Sequence, residues 1–78
     1  MADATLDASG LQCPLPVLRA NRALRPLDAG DQLTVIATDP SAPEDFRQFC
    51  RQTGHVLVSS TRAAGVFTIV VRKTAPGV

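Results

Sequence analysis

Short apolar runs bounded by turn residues alternate along this chain with longer stretches of helical spacing. Residues 4–7 predict a short strand, and Ala8-Ser9-Gly10 is a turn cluster. A helix is expected from Pro14 to about Arg25. Ala20, Ala23 and Leu24 continue it, and Pro26 ends it, because the residue before a proline avoids the helical region. Leu27-Asp28-Ala29-Gly30-Asp31 reads as a turn. Residues 32–38, rich in β-branched side chains, read as a second strand. Asp39-Pro40 stops it, and Ser41-Ala42-Pro43-Glu44 has the S-x-x-E form of a capping box. That box opens a second helix from Ala42 to about Thr53, with Gly54 as a left-handed C-cap. Residues 55–61 and 66–72 predict two further strands joined by a hairpin turn over Arg62-Ala63-Ala64-Gly65. A frayed tail is expected from Lys73 to Val78.

The predicted order is β-α-β-α-β-β. Right-handed crossovers put both helices on one face of the sheet. The expected fold is therefore an α/β (α+β) two-layer sandwich over a four-stranded mixed sheet. The loops after the first two strands, one carrying Cys13 and the other Asp39-Pro40-Ser41, fall on one edge if those strands are parallel. That is the C-terminal edge, where α/β folds carry function. The other sheet face has no helix cover. Alternation alone leaves open whether Ile36, Val66 and Val70 lie on it, and an apolar open face would suggest a partner or a dimer.

Length adds one limit. Seventy-eight residues make a single domain, with a core at about 4–72 and no room for a deep substrate cavity. A formal net charge of +1 argues against nucleic-acid binding by bulk electrostatics. No basic start leads into an apolar run, and no stretch approaches a membrane span, so the expectation is a cytoplasmic protein without membrane attachment. Two cysteines in that setting are reduced thiols. With one histidine they do not make a metal site, and no cofactor is expected.

The candidate chemistry lies in Gly10-Leu11-Gln12-Cys13-Pro14-Leu15-Pro16-Val17-Leu18. Proline at the first helical position is pre-set in φ and has no N–H to leave unpaired. This places Cys13 at or next to the N-cap, where Ser, Thr or Asp would ordinarily stand. A helix N-terminus favours thiolate over thiol, so the Cys13 pKa is expected below its ordinary value. Pro14 and Pro16 supply no N–H, which leaves Leu15 and Val17 as the free donors near the sulfur. Cys50, four residues after Phe46 and next to Phe49, reads as a buried apolar filler. As a resolving thiol for Cys13 it would have to reach the opposite sheet edge. His55 is placed at that far edge as a structural hydrogen-bonder, away from any Cys–His dyad. Asp39 before Pro40 reads as turn chemistry, with orienting a donor or hydrogen-bonding the neighbouring loop as the alternative; a carboxylate close to Cys13 would oppose the thiolate, which argues against direct contact. Arg19, Arg22 and Arg25 recur at i+3 on the first helix. They form either a solvated face or a docking face for an acidic partner.

The chain resembles the TusA/SirA/YedF family of small sulfur carriers. The match runs through Leu6-Asp7, Gly10-Leu11, Cys13-Pro14-x-Pro16, Val17-Leu18, Asp31-x-Leu33, Thr38-Asp39-Pro40, Asp45, Phe49-Cys50 and Gly54-His55, from about Thr5 to Arg72. The resemblance implies the same two-layer fold and a sulfur held as a persulfide on Cys13, with Pro14, Leu15, Pro16 and Asp39 shaping its loop. It implies a sulfur donor protein (a cysteine desulfurase or a rhodanese-like sulfurtransferase), a sulfur acceptor protein, and docking near Arg22 and Arg25. The pathways served by the family include tRNA thiolation, molybdenum cofactor maturation and sulfur oxidation. Its tRNA-thiolation members often carry an acidic residue where this chain has Leu15, so the pathway stays open. The chain would act as a carrier-type sulfurtransferase working with partner enzymes. Oligomeric state is undetermined, with a monomer as the default. The alternatives are a thiol redox protein, which would need a Cys13–Cys50 disulfide, and a regulatory interaction module indifferent to Cys13.

Overall fold

The computed structural model describes residues 3–74. The elements are β1 (Asp3–Ala8), α1 (Leu15–Leu24), β2 (Gln32–Ala37), α2 (Ala42–Thr53), β3 (Val56–Ala63) and β4 (Val66–Arg72). They form one four-stranded sheet in the order β1-β2-β4-β3. β1 and β2 are parallel, while β4 runs antiparallel to both β2 and β3. The fold is the expected mixed-sheet sandwich in the order β-α-β-α-β-β. α1 packs on β1 and β2, and α2 on β3 and β4.

Strand alternation decides which side chains make the core. Leu33, Val35 and Ala37 of β2 and Ile69 and Val71 of β4 point toward the helices and are buried. Ala20 and Leu24 meet them from α1, and Ala42, Phe46, Phe49 and Cys50 from α2. Phe46 and Phe49 meet edge to face with ring centroids 6.2 Å apart. The register pairs Thr34 with Val70 and Ile36 with Thr68, out of step with the buried set. Ile36, Val66 and Val70 therefore lie on the face away from the helices. They share it with Thr5, Asp7, Thr34, Thr61 and Thr68, so that face is mixed rather than an apolar patch.

Four local expectations change. The hairpin turn is shorter than 62–65: β3 extends through Ala63, which pairs with Val66. Only Ala64 (φ 51°) and Gly65 (φ 77°) turn the chain, the two positive-φ residues of a tight type I′ connection. The capping box at α2 does not form. Glu44 pairs with Arg47 at 2.8 Å in an exposed ion pair, and the Ser41 hydroxyl donates to Asp45 instead. α1 begins at Leu15 with Pro14 as its N-cap, one residue later than expected.

The fourth change is at the tail. Lys73 and Thr74, assigned to a frayed end, are tied down. Lys73 Nζ donates to the carbonyls of Leu24 (2.7 Å), Arg25 (3.1 Å) and Leu27 (2.6 Å), closing the C-terminal end of α1. Thr74 donates its N–H to His55 Nδ1 (3.2 Å) and its hydroxyl to the Gly54 carbonyl (3.1 Å). The rest of the expected tail, 75–78, lies outside the described residues.

Candidate functional site

The parallel pairing of β1 and β2 delivers two loops to one sheet edge, and each opens a helix. They are bonded to each other. Gly10 donates its N–H to Thr38 Oγ1 at 2.9 Å, and Cys13 donates its N–H to Asp39 Oδ2 at 2.5 Å. Gly10 has φ 78°, which lets the chain turn sharply between β1 and the cysteine loop. Asp39 Oδ1 also accepts the Ser41 N–H at 3.2 Å, the turn chemistry expected of Asp before Pro. Asp39 thus does both things the sequence left open, turn chemistry and a bond to the neighbouring loop, and only the expected lack of direct contact with Cys13 is overturned. Its carboxylate grips the cysteine backbone rather than the sulfur, and two N–H donors hold its pKa below the usual carboxylate value.

Cys13 is exposed, and the Cys13–Pro14 peptide is cis. The cysteine precedes the N-cap rather than forming it. The Leu15 N–H, expected to be free beside the sulfur, donates to the Gln12 carbonyl at 2.8 Å. The Leu18 N–H reaches the Pro14 carbonyl at 3.1 Å. Leu15 and Leu18 are exposed on α1, while Pro16 in its first turn is buried. Arg19, Arg22 and Arg25 are exposed along α1 and its C-cap, and none is ion-paired among the described residues.

The thiol pKa is raised, not lowered. The leading cause is the Asp45 carboxylate across the groove. Partial desolvation and the charges of Asp45 and Asp39 add to it, and the Ser41 hydroxyl opposes it. The expectation of an activated thiolate fails for two physical reasons. Two of the four residues from 13 to 16 are prolines, and the Leu15 N–H is already used, so the helix end offers the sulfur little. The start of α2 then adds carboxylates, which penalise a second negative charge. Asp45 is among the residues that carry the family resemblance, and the order of residues alone points to no role for it. The available signal was its place in the first turn of a helix whose mouth shares an edge with Cys13.

Cys13, Pro14 and Val17 form one wall of a shallow groove of about 190 Å3, and Asp45, Gln48, Phe49 and Gln52 form the other. The α2 residues recur at i, i+3, i+4 and i+7, one helical face turned toward α1. Cys50 is not in the groove. It is buried, with burial pushing its thiol up, and no disulfide joins it to Cys13. His55 stands at the opposite sheet edge: Val56 and Gln32 both pair with Arg72, at the end of β2 away from Thr38. Its ring packs on Phe49 at 5.8 Å. Among the described residues no cluster of three or more His, Cys, Asp or Glu could hold a metal ion.

The family model described as sulfurtransferase TusA matches residues 4–73, a span that includes both loops and all six elements save the first residue of β1. The chain belongs to the TusA family. The TusA sulfur carrier protein of Allochromatium vinosum is 47% identical over 72 residues, covering 92% of this chain and 97% of that protein. The TusA sulfur carrier protein of Pseudomonas entomophila is 48% identical over 73 residues, covering 94% and 91%. The crystal structure of a SirA-like protein from Desulfitobacterium hafniense superposes with a TM-score of 0.80 at 27% identity, over 92% of this chain and 99% of that one. Membership of the TusA family supports a sulfur-carrying role, in which the protein meets a sulfur donor and a sulfur acceptor. No helix among the described residues is long and apolar enough to cross a membrane.

Proposed function

We propose that this TusA-family protein carries sulfur as a persulfide on Cys13, in the cytoplasm, between a donor protein and an acceptor protein. The observation that carries the reading is the placement of Cys13: an exposed thiol within the family motif, on an edge open to a second protein, while the other cysteine is buried. The donor is a protein persulfide, on a cysteine desulfurase or a rhodanese-like enzyme. The Cys13 sulfur attacks the outer sulfur of the donor persulfide. A new S–S bond forms on Cys13, the donor S–S bond breaks, and the donor leaves as thiolate. The reverse sequence unloads the carrier onto the acceptor.

The groups around Cys13 suit a carrier better than a self-sufficient enzyme. Among the described residues no histidine or lysine lines the groove with Cys13, so proton transfer falls to the partner's groups. Pro14, Leu15, Pro16 and Asp39 hold the loop, and Arg19, Arg22 and Arg25 give the flank of α1 a positive charge that favours encounter with an acidic partner surface. The pathway, whether tRNA thiolation, molybdenum cofactor maturation or sulfur oxidation, is set by those partners.

The test is mass spectrometry after incubation with a cysteine desulfurase and cysteine. The wild type gains one sulfur atom and Cys13→Ala gains none. A sulfur adduct that persists on Cys13→Ala ends this reading.

A further inference from the structure

Cys13 stands among carboxylates rather than cations. Among the described residues, the charged side chain that lines the groove with Cys13 is Asp45, from the first turn of α2, and the side chain that holds the Cys13 N–H is Asp39, from the loop before it. Asp45 and Cys13 face each other across the same groove. The Ser41 hydroxyl donates to Asp45 Oδ2 at 3.2 Å and so fixes that carboxylate on its wall. The two bonds of Asp39, one to the Cys13 N–H and one to the Ser41 N–H, hold the walls in register. The thiol and its opposing charge are therefore positioned as a unit rather than brought together by a mobile side chain.

Building on the reading of Cys13 as the sulfur-bearing residue, we infer that Asp45 is a charge lock on Cys13: it restrains the thiol in the free protein, and a partner that brings a basic side chain into the groove between α1 and α2 releases it by pairing with Asp45. Ionisation of Cys13 sets a second negative charge in the groove that the Asp45 carboxylate already lines. A lysine or arginine beside Asp45 cancels that opposition, and exclusion of water by the docked partner strengthens the pairing. The thiol proton passes to solvent or to the partner's base. An exposed thiol held in its protonated form reacts slowly with oxidants and electrophiles, because the thiolate is the reactive species. Selectivity follows from the same arrangement, since a protein without the basic group meets a restrained thiol.

The isolated protein tests this through the pH dependence of Cys13 alkylation by iodoacetamide. Asp45→Asn keeps an oxygen for the Ser41 hydroxyl and removes the charge. Its alkylation midpoint falls by about one pH unit, which is about tenfold more thiolate at a fixed pH below the midpoint. Gln48→Lys places a cation on the same wall from an exposed position, as the partner would. Its alkylation rate at neutral pH rises by about threefold, a half-unit shift. A folded Asp45→Asn protein whose profile superimposes on the wild type overturns the lock. An unchanged rate in Gln48→Lys overturns release by a basic group, and that variant reads out even if Asp45→Asn is too unstable to measure. Neither experiment uses a sulfur donor, so failure here is distinct from failure of persulfide loading on Cys13.

Discussion

Asp39 Oδ2 accepts the backbone N–H of Cys13 at 2.5 Å, across 26 residues of sequence. The other oxygen of the same carboxylate takes the N–H of Ser41, so one side chain joins the two loops that open α1 and α2. The backbone position of Cys13 is thereby set by a residue in the loop that follows β2. These two N–H donors hold the Asp39 pKa below its ordinary 3.8. The stabilisation they provide is present above the unfolded-state value and is lost as pH falls through the folded one. In an NMR titration the amide shifts of Cys13 and Ser41 move together with a midpoint below 3.8, and in Asp39→Ala both amides exchange faster with solvent. A midpoint at or above the ordinary carboxylate value contradicts the clamp.

Lys73 closes the end of α1 with three donor hydrogens on three carbonyls. Lys73→Met keeps the length of the side chain and removes the donors. It lowers unfolding free energy by about 2 kcal/mol, the range for hydrogen bonds to a charged group. Urea denaturation followed by circular dichroism measures it. A loss within error of zero means that water replaces the ammonium at no cost.

His55 uses Nδ1 to accept the Thr74 N–H, which only the neutral ring can do. Burial, with a smaller effect from the Lys73 charge, pushes its pKa below 6.5. The stability it contributes is complete above pH 6.5 and is lost as pH falls through the lower folded-state value. The difference in urea midpoint between wild type and His55→Asn, followed from pH 8 to pH 5, isolates this effect from the carboxylates. The difference shrinks from pH 8 toward pH 5, and one that grows as pH falls would reverse the assignment.

Cys50 is buried in the α2 side of the core, whereas Cys13 is open to solvent. Native protein takes up one equivalent of iodoacetamide, on Cys13, and a second only in denaturant. Cys50→Ala still accepts sulfur from a desulfurase. Peptide mapping of native, air-exposed protein finds no Cys13–Cys50 disulfide. Finding one would revive a redox role.

Much of this was legible in the order of residues. The strand and helix sequence followed from short β-branched runs and from Pro26, Asp39-Pro40 and Gly54, because these residues act through local backbone geometry. Gly54 takes φ 86° at the C-cap of α2, as its position after Thr53 requires. Cys13 stood out for the same reason, since the prolines beside it constrain only their immediate neighbours. The boundaries that shifted, at Leu15 and at Ala63, are places where a hydrogen bond from outside the element decides the last residue.

Sequence by itself determined the order of elements, the family and the identity of the candidate thiol. Those depend on interactions within a few residues or on motifs read in line. Only the tertiary structure decided the electrostatic state of that thiol. The rule that a helix N-terminus favours thiolate considers one helix. Parallel pairing of β1 and β2 brings a second helix mouth, with Asp39 and Asp45, to the same edge. Charge acts through space at a few ångströms, and 32 residues of chain separate Cys13 from Asp45.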